Sequence, residues 1–65
     1  MTYARQKAAL TRVLNSGNKA KLVAVCRKAV REWNENAWWP DGWSDWQRAL
    51  DDALGVHAPR LDELG

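Results

Sequence analysis

Apolar residues recur every three or four positions in three stretches of this chain, a spacing typical of amphipathic α-helices. The pattern predicts helices over about residues 3–14, 19–36 and 45–54. The apolar face of the first helix comprises Tyr3, Gln6, Leu10, Val13 and Leu14. The face of the second comprises Leu22, Val23, Cys26, Ala29, Val30, Trp33 and Ala37, with Val25 at its margin. The face of the third comprises Trp46, Ala49, Leu50, Ala53 and Leu54. No stretch alternates as a β-strand would, so the pattern predicts an all-α fold, a small domain of three helices.

Capping residues stand at the expected helix ends. Thr2 is suited to cap the first helix, and Gly17 can end it by adopting the left-handed conformation. Ser16 or Asn18 can then cap the second helix with a side-chain oxygen. Gly55 is the expected end of the third helix.

The connection between the second and third helices is rich in tryptophan and contains a proline. A residue before proline is driven out of helical geometry, so we expect Trp39 to be extended. Trp39–Gly42 suits a type I turn with Pro40 at its second position. Ser44 and Gln47 have the spacing of a capping box, in which each side chain would bind a free backbone amide at the start of the third helix.

Two outcomes remain open for residues 55–65. Pro59 can start one helical turn, held against the domain by Val56, Leu61 and Leu64, or the tail can be frayed. The whole chain has 65 residues, which is enough for one domain with a small core. Because Cys26 is the single cysteine, no intramolecular disulfide can reinforce that core.

All five tryptophans lie between residues 33 and 46, and the chain has no phenylalanine. Trp33 and Trp46 are in phase with the apolar faces, so they are expected in the core. The other three, Trp38, Trp39 and Trp43, lie in the connection, and three short helices cannot readily cover them all. We therefore expect at least one to stay partly exposed. Exposed tryptophan beside charged residues is typical of protein interfaces, so these three with Asp41 and Asp45 are the predicted protein-binding residues.

Charge is divided sharply along the chain, although the formal net charge is only +2. Residues 1–31 contain eight basic residues and no acidic one, whereas residues 32–65 contain eight acidic residues and two arginines. The halves can attract each other, within one fold or between two copies, or the basic half can bind nucleic acid. The candidate nucleic-acid-binding residues are Arg5, Arg12, Lys21, Arg27, Lys28 and Arg31. The basic part of the second helix, residues 19–31, lacks the mixture of Asn, Gln, Ser and Thr that contacts base edges, so this pattern is unspecific.

The remaining polar residues do not form a catalytic or metal-binding pattern. His57 is the only histidine and has no nucleophile at useful spacing. Asp51 and Asp52 are adjacent on a helix, so they diverge by about 100° and cannot face one substrate. Cys26 lies on an apolar face, where an inert thiol is the usual case. We predict no enzymatic activity, no catalytic or metal site, no cofactor and no small-molecule substrate.

The beginning of the chain is polar and basic, with no following apolar run, which is unlike a signal peptide or a membrane anchor. No stretch approaches the roughly 20 apolar residues of a membrane-spanning helix. A single thiol without an export signal is typical of cytoplasmic proteins. The predicted location is therefore the cytoplasm, and no membrane partner is expected.

The run Trp-Pro-Asp-Gly-Trp-Ser-Asp-Trp-Gln-Arg-Ala-Leu, residues 39–50, resembles small uncharacterised tryptophan-rich proteins of actinobacterial bacteriophages and their hosts. The similarity covers about the C-terminal half of the chain. It implies a small protein acting inside a bacterial host, and it brings no activity or site residues. Together with the residue pattern, it leads us to expect a non-enzymatic protein that contacts a host protein or a second copy of itself, with nucleic-acid binding as the alternative.

Overall fold

Three helices form most of the protein in the computed structural model, which describes residues 3–65. They are α1 (Tyr3–Ser16), α2 (Lys19–Glu35) and α3 (Trp43–Leu54). A single 3₁₀ turn (Gly55–His57) and a one-turn helix, α4 (Leu61–Leu64), follow them. Residues 3–65 contain no β-strand, which confirms the all-α prediction. The predicted cap Thr2 lies outside the described residues.

Gly17 and Asn18 separate α1 from α2. Gly17 has a φ of 71°, as predicted for a glycine that ends a helix. Asn18 provides the second cap, because its side-chain oxygen accepts a hydrogen bond of 3.0 Å from the backbone amide of Lys21. Ser16 donates its hydroxyl to the carbonyl of Val13 at 2.7 Å instead. The helix α1 extends two residues beyond its predicted end at residue 14, and this hydrogen bond lies in that extension.

The end of α2 is a Schellman motif built around a residue other than glycine. Ala37 has a φ of 52°, and its amide bonds to the carbonyl of Asn34 at 3.2 Å. The amide of Trp38 bonds to the carbonyl of Trp33 at 3.0 Å. These two bonds satisfy carbonyls that the last turn leaves free, and they reverse the chain direction. The prediction that Ala37 belongs to the apolar face of α2 is wrong, because this reversal places it outside the helix and exposed.

The turn before α3 lies one residue later than predicted. A hydrogen bond of 3.0 Å from the amide of Trp43 to the carbonyl of Pro40 closes it, so Pro40 is its first residue and not its second. As a result α3 begins at Trp43, two residues early, and its N-cap is Gly42, which makes no side-chain cap bond. The predicted capping box is therefore wrong: Ser44 lies within the first turn, and Gln47 points into the protein.

The core lies between the three long helices and α4. Its buried apolar residues are Val13, Leu22, Cys26, Ala29, Val30, Trp33, Trp46, Leu50 and Leu61. Pro40 is fully buried as well. The prediction for Leu14 is wrong, since 44% of this side chain is exposed. Leu14 lies near the end of α1, where it lines a shallow groove along α3.

The C-terminal tail is ordered and docked by one polar side chain. The amide oxygen of Gln47 accepts a bond of 2.9 Å from the backbone amide of Leu61, and its nitrogen donates to the carbonyl of Pro59 at 3.0 Å. Leu61 is buried and Leu64 half-buried, as predicted for a docked turn. Val56 does not take part, because 96% of it is exposed.

Candidate contact surface

The six aromatic rings of the protein form one continuous series of contacts. The neighbouring centroids are separated by 6.3 Å for Trp38–Tyr3, 6.4 Å for Tyr3–Trp46, 5.3 Å for Trp46–Trp33, 5.3 Å for Trp33–Trp39 and 5.6 Å for Trp39–Trp43. All five pairs are edge-to-face or tilted, which suits the charge distribution of aromatic rings. The series joins the start of α1, the end of α2 and the start of α3.

Hydrogen bonds hold the inner indoles in place. The indole N–H of Trp46 donates to the Tyr3 hydroxyl at 3.1 Å, and that of Trp33 donates to the Gln6 side chain at 2.9 Å. Both indoles are almost completely buried, with 1% and 2% exposed, which confirms that they belong to the core. The half-buried Trp39 donates its N–H to the side-chain oxygen of Asn34 at 2.8 Å.

The two ends of the aromatic series are the exposed ones. Trp38 is 55% exposed and packs edge-on against Tyr3, whereas Trp43 is 40% exposed and packs against Trp39. The expectation that some tryptophan of the connection stays partly exposed is confirmed. The Schellman motif fixes the backbone of Trp38, and the turn at Pro40 fixes that of Trp43. Both exposed indoles are thus attached to rigid backbone.

The acidic residues predicted to flank the tryptophans are both exposed. Asp41 lies in the turn before α3, and Asp45 lies in the first turn of α3, where a negative charge is favoured by the helix dipole. Asp45 also lines the α1–α3 groove with Leu14 and Ala49. We use the name tryptophan surface for Trp38, Trp39 and Trp43 with Asp41 and Asp45.

Four of the six candidate nucleic-acid-binding residues line one groove between α1 and α2. Arg5 and Lys28 line one half of it, of about 420 Å³, and Arg12 and Lys21 line the other, of about 440 Å³. Ala9 and Val25 line both halves, so the two halves form one continuous groove. We use the name basic groove for this feature.

The remaining two candidates, Arg27 and Arg31, are exposed on α2 but do not line the basic groove. Glu32 is the one acidic residue among those that line it. It accepts a hydrogen bond of 2.7 Å from Gln6, which is also the acceptor for the Trp33 indole.

The side chains that bind the indole N–H groups are not among the residues predicted from the sequence pattern to form a site. Two of them could have been recognised from the sequence. Tyr3 and Gln6 are amphipathic or polar, and yet both fall on the apolar face of α1. Asn34 carried no such signal. Its bond to Trp39 exists only because the chain reverses at Ala37.

The groups with potential chemistry lie apart from both surfaces. Burial raises the pKa of the Cys26 thiol to about 11, which keeps the unreactive protonated form at neutral pH. His57 is exposed in the 3₁₀ turn. Over residues 3–65, no three His, Cys, Asp or Glu side chains come close enough together to hold a metal ion. Within the same residues, no helix has the length and apolar character needed to span a membrane.

A scan against protein-family models finds no match to this chain, and searches of curated proteins and of solved structures find none either.

Proposed function

We propose that this protein is non-enzymatic and acts by protein–protein contact through the tryptophan surface. The observation that carries the proposal is the exposure of two indoles, Trp38 and Trp43, on rigid backbone at the ends of a packed aromatic series. The partner is a host protein or a second copy of the chain. The resemblance to phage-type proteins supports the cytoplasm of a bacterial host as the place of action.

The exposed indole area is large enough to matter for binding. Tryptophan buries up to about 250 Å², so the uncovered parts of the Trp38 and Trp43 side chains amount to roughly 200 Å² together. Removing that area from water is worth about 5 kcal/mol at about 25 cal/mol per Å², and the entropy cost of association is subtracted from this gain. Because the rings are already held by their neighbours, little side-chain entropy is lost on binding. Tryptophan in such a setting is the residue type most often found as an interface hot spot.

The test is affinity capture from bacterial host extract with Trp38→Ser and Trp43→Ser variants. A matched control is Val56→Ser, which removes an exposed apolar side chain that is not part of the aromatic series. Circular dichroism must first show that each variant keeps its helices. We expect the two tryptophan variants to lose at least tenfold in partner recovery while the control does not. Undiminished recovery by the folded variants would contradict the proposal.

The basic groove favours a second candidate function, the binding of nucleic acid. Four cations from two helices line it, with a single acidic residue among the lining side chains. Each phosphate contact on duplex DNA adds about 0.9 to the salt slope of the binding constant. A gel shift over a salt series would test this with Arg12→Gln and Lys28→Gln, with the exposed Arg48→Gln as control. Absence of a shift at low salt, or equal shifts for all three variants, would exclude it.

A further inference from the structure

The cations of the basic groove form two pairs with a regular spacing. Arg5 and Arg12 are seven residues apart on α1, and Lys21 and Lys28 are seven residues apart on α2. Seven residues of α-helix advance about 10.5 Å, or close to two turns. Each half of the groove contains one cation from each helix. The groove therefore offers two positively charged positions about 10.5 Å apart along its length.

Between these positions the groove is lined by small apolar residues. Ala9, Ala24, Val25 and Ala29 contribute to its lining. Small side chains let a third helix approach closely enough for its backbone to pack between two others. Of the Asn, Gln, Ser and Thr side chains that contact base edges in DNA complexes, the lining contains Gln6 and Ser16, and the Ser16 hydroxyl already donates to the carbonyl of Val13. Gln6 is already engaged by Glu32 and by the Trp33 indole. The lining thus suits an acidic helix with small apolar residues better than a nucleic acid.

The protein itself carries such a helix. Asp45 and Asp52 on α3 are also seven residues apart, which gives the same spacing of about 10.5 Å. Both are exposed, and both line one side of α3 together with Ala49 and Ala53. This side, which we call the outer side of α3, is bordered by Leu14 of α1 and is the α3 wall of the α1–α3 groove. Arg48 is the one cation on that side of α3. At 100° per residue it is offset around the helix by about 60° from Asp45 and 40° from Asp52.

We propose that the basic groove binds the outer side of α3 from a second copy of this chain. One carboxylate, of Asp45 or Asp52, lies at each cation pair, and Ala49 packs between them on the floor formed by Ala9 and Val25. The two contacting surfaces differ, so the contact is heterologous, with one copy contributing its groove and the other its α3. The charge division along the sequence is the origin of this complementarity, and the proposal does not depend on the tryptophan surface.

The test is sedimentation over a dilution series with two charge-reversed variants. One variant carries Arg12→Glu and Lys28→Glu in the groove, and the other carries Asp45→Lys and Asp52→Lys on α3. We expect the wild-type mass to rise with concentration and to fall with added salt, because exposed charge pairs are screened. Each variant alone should associate at least tenfold more weakly, because the α3 variant places lysines against the cations of the groove, whereas the groove variant leaves each pair of groove side chains without net positive charge. An equimolar mixture of the two should recover the association.

The control is Arg60→Glu, which reverses an exposed charge outside both surfaces and should leave association unchanged. Arg48→Gln should strengthen association by several-fold, and this gain should disappear at high salt, whereas aggregation of a misfolded chain would not. A wild-type protein that is monomeric at every concentration overturns the proposal, and so does a mixture of the two variants that stays monomeric. Duplex DNA bound by a monomer through Arg12 and Lys28 would assign the groove to nucleic acid instead.

Discussion

Replacing Gln47 by methionine would test how the tail is attached. Gln47 is the buried polar residue of the core, with 7% of it exposed. Its side chain accepts from the amide of Leu61 and donates to the carbonyl of Pro59 and to Asp51. Methionine keeps nearly the same volume and shape but offers no amide. Gln47→Met thus removes the hydrogen bonds with little change in packing.

The structure bounds the cost of this substitution from both sides. The Leu61 amide is buried, and leaving such a donor without a partner costs about 1–3 kcal/mol. The part-buried bond to Pro59 adds about 1 kcal/mol. The total cannot exceed the free energy of docking the tail, because the tail can detach and hydrate its amides. Burial of the Leu61 side chain contributes about 1.5–3 kcal/mol to that docking. We expect a loss of about 2–3 kcal/mol, a large share of the roughly 3–10 kcal/mol available to a domain of this size.

Urea unfolding followed by tryptophan fluorescence would measure the loss, and hydrogen exchange would locate it in residues 58–64. If the tail detaches in the native state, the denaturant slope m should fall as well, since less surface is newly exposed on unfolding. The matched variant is Gln47→Glu, which keeps an acceptor for Leu61 but places a carboxylate beside Asp51 and the Pro59 carbonyl. The loss in free energy of unfolding relative to the wild type should be small below about pH 4, where the introduced carboxyl is protonated and can donate a hydrogen bond. This loss should grow as the pH rises. A loss below about 0.5 kcal/mol for Gln47→Met, less than one ordinary hydrogen bond, would refute this account of tail docking.

Two further predictions concern a thiol and a strained backbone position. Burial raises the pKa of the Cys26 thiol from 9.0 to about 11, so between these pH values the folded protein keeps a proton that the unfolded chain releases. The free energy of unfolding should therefore decline as the pH rises from about 9 to about 11. In the Cys26→Ala variant this decline should be smaller. Thiol titration at pH 8 should accordingly be slow in buffer and complete in urea; fast labelling of the folded protein would contradict the burial. Ala37→Gly should raise the free energy of unfolding by about 0.5–1 kcal/mol, because glycine adopts a φ of 52° without steric cost. Ala24→Gly, in the interior of α2, should lower it by about 1 kcal/mol, and a loss of stability in both variants would argue against the Schellman geometry.

The sequence predicted the helices well because helical periodicity is a local property. The apolar spacing located α1, α2 and α3 within about two residues, and Gly17 and Asn18 defined the first connection correctly. It also assigned Trp33 and Trp46 to the core correctly. Of the three tryptophans that it placed in the connection, Trp38 and Trp39 lie there, whereas Trp43 is the first residue of α3. The prediction of a capping box at Ser44 and Gln47 was wrong because it considered only neighbouring residues. The Gln47 amide is needed by Leu61, fourteen residues away, and a capping rule has no information about that contact.

The sequence by itself determined that this is an all-α chain, with most of its cations in one half and its acids and indoles in the other. Only the tertiary structure decided which side chains share a surface. Packing of α1 beside α2 joined Arg5 to Lys28 and Arg12 to Lys21 in one groove, and it left Arg27 and Arg31 outside. The physical reason is that periodicity fixes the direction of a side chain about its own helix axis, whereas neighbours depend on how the helices pack and where the chain reverses. In this protein the chain reverses at Ala37, which adopts a left-handed conformation that is not expected of alanine.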